Sequence, residues 1–157
     1  MTNAEICREA RVADVERLLP LCRAFCEYFD YRFSEPEQRK VVREFIAEPD
    51  LGRMFLIQDK SEAVGYAALT FSFSLEYGGR TAFIDELFIG ATGRGRGLGK
   101  RVLAFLEGAC REMGIKALLL EAEDTNPRAA ALYENAGYAF LGRRLMTRVL
   151  DASRGYK

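Results

Sequence analysis

The sequence predicts an α/β fold, with a mixed sheet that has helices on both of its faces. Apolar residues recur at helical spacing in some segments and form short buried runs in others. In chain order these segments are one strand, two helices, three antiparallel strands, and then helices and strands in alternation. The 157 residues are enough for one substantial core, so we expect residues 1–157 to form a single domain.

The N-terminal segments predict a short strand followed by two helices. The strand is expected over residues 5–9 and the first helix over 13–28, with a kink or a break at Pro20. Residues 34–37, Ser-Glu-Pro-Glu, have the spacing of a capping box and predict the start of the second helix. That helix is expected to end at residues 49–50, Pro-Asp.

The middle of the chain predicts an antiparallel meander. Strands are expected near residues 54–58 and 63–73, and the turn residues 77–80 lead into a third strand over 82–89. This third strand is apolar except for its two adjacent carboxylates, Asp85 and Glu86. Beyond residue 138 we expect one or two further strands that close the sheet.

A glycine-rich loop, Arg-Gly-Arg-Gly-Leu-Gly-Lys at residues 94–100, leads from the third strand into the next helix. Such a turn directs several backbone N–H groups to one point at the positive end of a helix, which suits a diphosphate. Four cations in and around the first helical turn oppose the helix dipole, and a bound polyanion would relieve this conflict. These cations are Arg94, Arg96, Lys100 and Arg101.

The spacing of this loop excludes two common phosphate-binding motifs. A Walker loop would need glycine at position 94 and Ser or Thr at position 101, and arginine occupies both. The dinucleotide pattern Gly-x-Gly-x-x-Gly would need its last glycine at position 98 or 100, where the chain has Leu98 and Lys100.

The loop does fit Arg-x-x-Gly-x-Gly through Arg94, Gly97 and Gly99, and this pattern resembles the acyl-CoA loop of the GNAT superfamily of N-acetyltransferases. Residues 84–89 resemble the fourth strand of that family, in its polyamine-acetyltransferase-like branch, and residues 117–123 resemble its fifth. Residues 126–138 are similar to its signature Asn-x-x-Ala-x-x-Leu-Tyr-x-x-x-Gly-Phe. The ordered match covers roughly residues 81–141.

This resemblance implies a mostly antiparallel GNAT-like sheet in which the parallel fourth and fifth strands splay apart. It implies an enzyme that uses acetyl-CoA as cosubstrate, without a metal, and acetylates a primary amine by direct attack in a ternary complex. The expected acceptor is a small molecule. Acetylation of protein N-termini or lysines, and a CoA-binding regulator without turnover, are the alternatives. A homodimer through the C-terminal strands is common in the family.

The chemistry requires a base that deprotonates the acceptor ammonium ion. Since the chain has no histidine, this base must be a carboxylate, a water relay, a tyrosine or an amine. The resemblance favours Asp85 or Glu86 acting through water. Adjacent strand residues point to opposite faces, so only one of the two faces the cleft unless a bulge redirects them, as in the family. Tyr133 matches the tyrosine that the family uses as general acid for the leaving thiolate.

The resemblance also implies a cofactor-binding set in the fourth strand, the glycine-rich loop and the last helix. Its members are Leu87, Phe88, Ile89, Arg94, Gly95, Arg96, Gly97, Leu98, Gly99, Lys100, Asn126, Arg128 and Tyr133. An acidic and aromatic lining suits a cationic amine. We expect the acceptor in the cleft between the N-terminal helices and the strand of Asp85 and Glu86, where the candidate residues are Glu27, Tyr28, Tyr31 and Glu76.

Composition argues against several other functions. The 23 basic residues equal the 23 acidic ones, whereas nucleic-acid-binding proteins usually have a basic excess. No apolar stretch approaches the length of a membrane span, and the N-terminus lacks the build of a signal peptide, so a cytoplasmic enzyme is expected. The four cysteines have no histidine to complete a zinc site, and free thiols are expected.

Overall fold

The computed structural model describes residues 6–151, which form a five-stranded sheet flanked by four α-helices. The strands are β1 (Cys7–Glu9), β2 (Gly52–Asp59), β3 (Glu62–Ser74), β4 (Gly79–Ile89) and β5 (Ala117–Leu120). The helices are α1 (Val15–Tyr28), α2 (Glu35–Ala47), α3 (Leu98–Glu112) and α4 (Pro127–Asn135), and the 3-10 turns Val12–Asp14 and Ala91–Gly93 precede α1 and the glycine-rich loop.

The spatial order of the strands follows the chain, β1-β2-β3-β4-β5. The first four strands pair antiparallel, whereas β4 and β5 pair parallel because α3 carries the chain back across the sheet. The predicted mixed sheet, antiparallel except for its last pair, is thus confirmed.

Each face of the sheet is covered by two helices, so the molecule has two apolar cores. On one face α3 contributes Leu98, Val102, Leu103, Leu106 and Cys110, with α4 packed beside it. On the other face α1 and α2 contribute Val15, Leu18, Leu19, Cys22 and Val42. This burial on both faces explains why β2 and β3 are apolar along most of their length rather than alternating.

Several predicted element ends differ from the observed ones. Helix α1 runs through Pro20 without a break. Helix α2 begins where the sequence predicts, but the Ser34 side chain makes no capping hydrogen bond and Pro36 occupies the first turn. Strand β5 ends at Leu120 instead of residue 123. Of the first predicted strand, residue 5 lies outside the described residues.

The prediction of closing strands beyond residue 138 is wrong for the described part of the chain, since residues 139–151 contain no strand. A strand needs a neighbour that completes its ladder of hydrogen bonds, and none of the described segments pairs with these residues. Their apolar side chains are consequently exposed, with Leu145 at 73% and Met146 and Leu150 at 91%.

No helix between residues 6 and 151 has the length and apolar character that a membrane span requires.

Candidate active site

A β-bulge in β4 decides where the two candidate carboxylates point. Glu86 lies opposite Ala68 of β3, while Ile84 lies opposite Leu69, so Asp85 is one extra residue on β4. Such an extra residue changes the alternation of the side chains that follow it. The predicted bulge beside the acidic pair is therefore present in this strand.

The packing of the apolar side chains of β4 shows that the bulge shifts the alternation of its side chains between the two faces of the sheet. Ile84 and Leu87 both pack into the core under α3, although residues three apart on a regular strand would face opposite sides. Phe88 packs into the other core, with α1 and α2. Glu86 points to that same side, because its Oε2 accepts a hydrogen bond of 2.6 Å from the hydroxyl of Tyr66.

The two carboxylates thus have different surroundings. Glu86 is half-buried, and its burial raises the pKa, which the hydrogen bond from Tyr66 lowers and the neighbouring Asp85 raises again. Asp85 stands exposed in the bulge, and partial desolvation by the surrounding protein raises its pKa as well.

Strands β4 and β5 separate immediately before the bulge. Their parallel pairing covers only Thr81–Ile84 of β4 against the four residues of β5, and β4 then continues to Ile89. The backbone groups on this edge of residues 85–89 therefore have no strand partner in β5. At the end of the open edge the carbonyl oxygen of Ile89 accepts a hydrogen bond of 2.9 Å from Nε of Arg94.

The glycine-rich loop adopts a conformation that favours glycine. Gly95 and Gly97 have φ of +79° and +69°, and Gly97 is the residue directly before α3. Apart from its chain neighbours, a Cβ on either residue would meet no atom of the described residues within 4 Å, so the backbone of the loop is open on that side. Gly99 instead packs closely on α4, since its Cβ would lie 2.9 Å from Cδ2 of Leu132.

A cleft of about 440 Å³ joins the open edge of β4, the loop and α4. It brings together all of the predicted cofactor-binding residues except Arg96. Arg96 instead forms an ion pair with Asp59, at the end of β2. The cleft is lined by Leu87, Phe88, Ile89, Arg94, Gly95, Gly97, Leu98, Gly99, Lys100, Asn126, Arg128 and Tyr133, and also by Tyr28, Phe29, Gly93, Ala129 and Leu132.

Helix α4 and its cap form one wall of the cleft. Its cap is Asn126, whose side chain accepts a hydrogen bond of 3.1 Å from the N–H of Ala129, and Pro127 begins the helix. Tyr133 lies two turns further on, with its ring against that of Tyr138 at 6.1 Å. Burial raises the pKa of Tyr133, so its hydroxyl keeps its proton at neutral pH.

Comparison with known proteins agrees with this geometry. Residues 18–138 match the acetyltransferase (GNAT) family. The chain belongs to this family. It is an N-acetyltransferase, and the family generally uses acetyl-CoA.

Individual relatives cover most of the chain. The IAA acetyltransferase of Azospirillum brasilense is 27% identical over 142 residues, which are 90% of this chain and 88% of that protein. The thialysine N-epsilon-acetyltransferase of Bos taurus is 27% identical over 143 residues, 83% of this chain and 81% of that protein. The crystal structure of an integron cassette protein from the mobile metagenome of Cole Harbour Salt Marsh has 32% identity and a TM-score of 0.85, and the match covers 94% of this chain and 92% of that one.

The residues predicted to bind the acceptor are only partly brought together in this acetyltransferase. Tyr28 is 55% exposed and lines the cleft, with the guanidinium of Arg94 4.7 Å above its ring. Glu27 is exposed at the end of α1. Tyr31 stacks on Phe29 at 5.6 Å, and its hydroxyl donates a hydrogen bond of 3.2 Å to Glu123.

Glu76 lies apart from these residues. It is in the turn between β3 and β4, at the other end of the hairpin from the bulge, and pairs with both terminal nitrogens of Arg143. This ion pair lowers the pKa of Glu76.

Two aromatic residues near the carboxylates, Phe25 and Tyr66, were not among the sequence-based candidates. Phe25 of α1 contacts both Tyr66 and Phe88, with ring centroids 6.2 and 6.0 Å apart. Both were indistinguishable from ordinary core residues in the sequence, because an apolar helical face and a buried strand account for them fully. Tyr66 lies beside Glu86 because β3 pairs with β4, and Phe25 reaches this place because α1 packs on that face of the sheet.

No group of three or more potential metal ligands occurs among residues 6–151. The four cysteines are all free thiols, and burial raises the pKa of Cys22 to about 12, with Glu86 contributing.

Proposed function

We propose that this protein transfers the acetyl group of acetyl-CoA to a primary amine of a small cationic molecule, in a ternary complex. The observation that carries the proposal is the meeting of the open β4 edge, the glycine-rich loop and Tyr133 around one cleft. Glu86 lies on the same strand, one residue before the part that lines the cleft. Binding of a cofactor alone would need neither this carboxylate nor the tyrosine.

The chemistry of the cleft fits acetyl-CoA. The side of Gly95 and Gly97 that is free of protein atoms lies at the start of α3, where backbone N–H groups and the helix dipole favour a diphosphate. Lys100 and Arg128 add positive charge to the same cleft. Residues 87–89 pair with β3 on one edge of β4, and their backbone groups on the other edge, which has no partner in β5, offer hydrogen bonds to an extended amide chain, in the manner of an added strand. When bound, acetyl-CoA would supply an activated acetyl thioester.

The residues of the chain would then move two protons. Glu86 takes the proton of the acceptor ammonium ion, directly or through a water molecule, so that the neutral amine can attack. Its elevated pKa makes it a better match for this task than an ordinary carboxylate. Asp85, the exposed neighbour of Glu86 in the bulge, is the alternative. Tyr133 donates a proton to the leaving thiolate, because its raised pKa keeps it protonated, and the second proton that the amine nitrogen loses as the amide forms returns to the tyrosinate, directly or through water.

The acceptor would bind between α1 and β4. Phe25, Phe29 and Tyr31 form a continuous set of ring contacts that reaches Phe88, and Glu86 lies beside it. Aromatic faces next to a carboxylate attract a cationic group. That the related bovine protein is named for thialysine, an amino acid with a side-chain amine, supports a small amine as the substrate class.

A direct test is the release of CoA thiol from acetyl-CoA with a panel of amines, with the acetylated product identified by mass spectrometry. The panel contains polyamines, amino acids with side-chain amines, aminoglycosides and lysine-containing peptides. Turnover of small amines only is the expected result. Turnover restricted to peptides would indicate a protein acetyltransferase. Tight acetyl-CoA binding without turnover of any amine would indicate a regulator and contradict the proposal.

Gly97→Ala is expected to weaken acetyl-CoA binding by about 10- to 100-fold, the value of one or two hydrogen bonds to a charged group. Its methyl group would project into the open side of the loop, where the diphosphate approaches the backbone. Gly114→Ala is a matched control, because Gly114 has φ of +70°, the same open surroundings and a place at the far end of α3. Both variants carry the same backbone strain. Equal affinities by calorimetry would contradict the loop assignment.

We also propose a homodimer in which the C-terminal segment, residues 139–150, of each copy covers the free edge of β5 in the other. Strand β5 is the edge of the described sheet, and an open edge together with exposed apolar side chains favours association. Met146→Glu is expected to give a monomer in sedimentation. Leu75→Glu, at an equally exposed residue in the β3–β4 turn, should leave the dimer intact. A monomeric wild-type protein at micromolar concentration would contradict the proposal.

A further inference from the structure

Tyr66 is a fully buried residue of β3 whose hydroxyl points at the proposed base. The hydroxyl donates a hydrogen bond of 2.6 Å to Oε2 of Glu86, 20 residues further along the chain. A buried phenol needs such a partner, and a short bond to a carboxylate is among the stronger hydrogen bonds in proteins.

The ring of Tyr66 is held so that its hydroxyl has little freedom. Phe25 and Phe88 contact it, with ring centroids 6.2 Å away in each case. Cys22, itself buried, lies next to the hydroxyl. A phenol has only two side-chain torsions, so this packing fixes the position of the hydroxyl and, through it, of one carboxylate oxygen.

We infer that Tyr66 is a positioning residue, which holds the Glu86 carboxylate in place for proton transfer and favours its ionised form. This inference rests on the proposed function of Glu86 as base. Tyr66 acts through Glu86 and is not assigned a contact with either substrate.

Among the groups around Glu86, Tyr66 is the main one that stabilises the ionised carboxylate. Tyr66 faces it from β3, Asp85 from β4, and the thiols of Cys22 and Cys26 from α1. Within the described residues no lysine or arginine forms an ion pair with Glu86. Burial and Asp85 raise its pKa, whereas the hydrogen bond from Tyr66 lowers it. Loss of the hydroxyl must therefore raise the pKa of Glu86 further.

Tyr66→Phe tests this directly, since it removes the hydroxyl and keeps the ring. The acid limb of kcat/KM, which reports the free enzyme, is expected to move upward by about one to two pH units, the value of a hydrogen bond to a charged group. Tyr138→Phe is the matched control, because the Tyr138 hydroxyl is also buried but has no hydrogen-bond partner among residues 6–151. The control should keep the wild-type profile, and an unmoved limb in Tyr66→Phe overturns the inference.

A second measurement separates this inference from the proposed function. The side-chain carboxyl carbon of Glu86, assigned in 13C spectra by its loss in Glu86→Gln, should titrate at higher pH in Tyr66→Phe than in the wild type. A shifted titration supports the contact even if no amine is acetylated, in which case only the proposed function fails. An unshifted titration overturns the inference even in an active enzyme.

The inference stays testable if Tyr66→Phe does not fold. In the wild type the ζ carbon of Tyr66 should then show a step in its chemical shift at the pH where Glu86 titrates, and Glu86→Gln should abolish this step. A Tyr66 resonance that ignores the titration of Glu86 would overturn the inference.

Discussion

Glu86→Gln is expected to lower kcat/KM by about two to four orders of magnitude on any amine that the wild type acetylates, the usual scale of a lost general base. The amide has the shape of the carboxylate but cannot take a proton from the acceptor ammonium ion. Affinity for acetyl-CoA should change little, because Glu86 is not among the residues that line the cleft. Initial rates and calorimetry, measured on the same preparations, check both parts.

The role of Glu86 also predicts the direction in which kcat/KM changes with pH. Glu86 accepts a proton only when ionised, and its pKa lies above the ordinary value, so wild-type kcat/KM should fall as the pH drops through that raised pKa. Glu86→Gln should lose this acid limb together with most of the rate. Heating curves of the two proteins establish that the variant is folded.

Asp85→Asn is the matched control, one residue away in the exposed bulge. We expect it to keep the acid limb of kcat/KM, moved to slightly lower pH, because the like charge that raises the pKa of Glu86 is gone. A large loss in Asp85→Asn with a nearly normal Glu86→Gln would reverse the assignment. Wild-type rates in both variants would mean that solvent removes the proton.

Tyr133→Phe is expected to lower kcat by about tenfold to a thousandfold while the KM for acetyl-CoA stays nearly constant. The ring and its contact with Tyr138 remain, so the fold should be preserved, but the proton for the leaving thiolate is lost. Single-turnover kinetics are required, because they isolate chemistry from product release.

Two results would contradict the role of Tyr133 in different ways. A loss of affinity larger than the loss of kcat would mean that the hydroxyl positions the cofactor. Unchanged single-turnover rates would remove the general acid from the mechanism. A thioester with a more acidic leaving thiol offers a further check, because the variant should recover part of its rate with a thiol that needs no proton.

Local patterns in the sequence were sufficient for most of the fold and for the glycine-rich loop. Helical periodicity and the residues at the helix ends predicted α1 and α2 to within a few residues, and one apolar face of each packs on the sheet. The glycine-rich loop is equally local, since the backbone of Gly95 and Gly97 at positive φ is a property of a few consecutive residues. The resemblance to the family predicted thirteen residues around the cofactor, and twelve of these line the cleft.

The sequence could not predict contacts that depend on the pairing of distant segments. Arg96 stands among the cations of the loop, yet its partner is Asp59 at the end of β2. Glu76 is acidic like Glu27, but it lies in the turn before β4, away from the bulge. There it pairs with Arg143. Residue type predicts the chemistry of a side chain, whereas its neighbours depend on the path of the whole chain.

By itself the sequence determined the family, the order of the elements and the loop at the start of α3, because these depend on residues close together in the chain. The tertiary structure alone decided which carboxylate meets the aromatic residues of α1. That choice depends on one extra residue in β4 relative to β3, which directs Glu86 to Tyr66 and leaves Asp85 exposed. The register of two paired strands arises from the packing of both faces of the sheet at once, and this information is not contained in either strand taken separately.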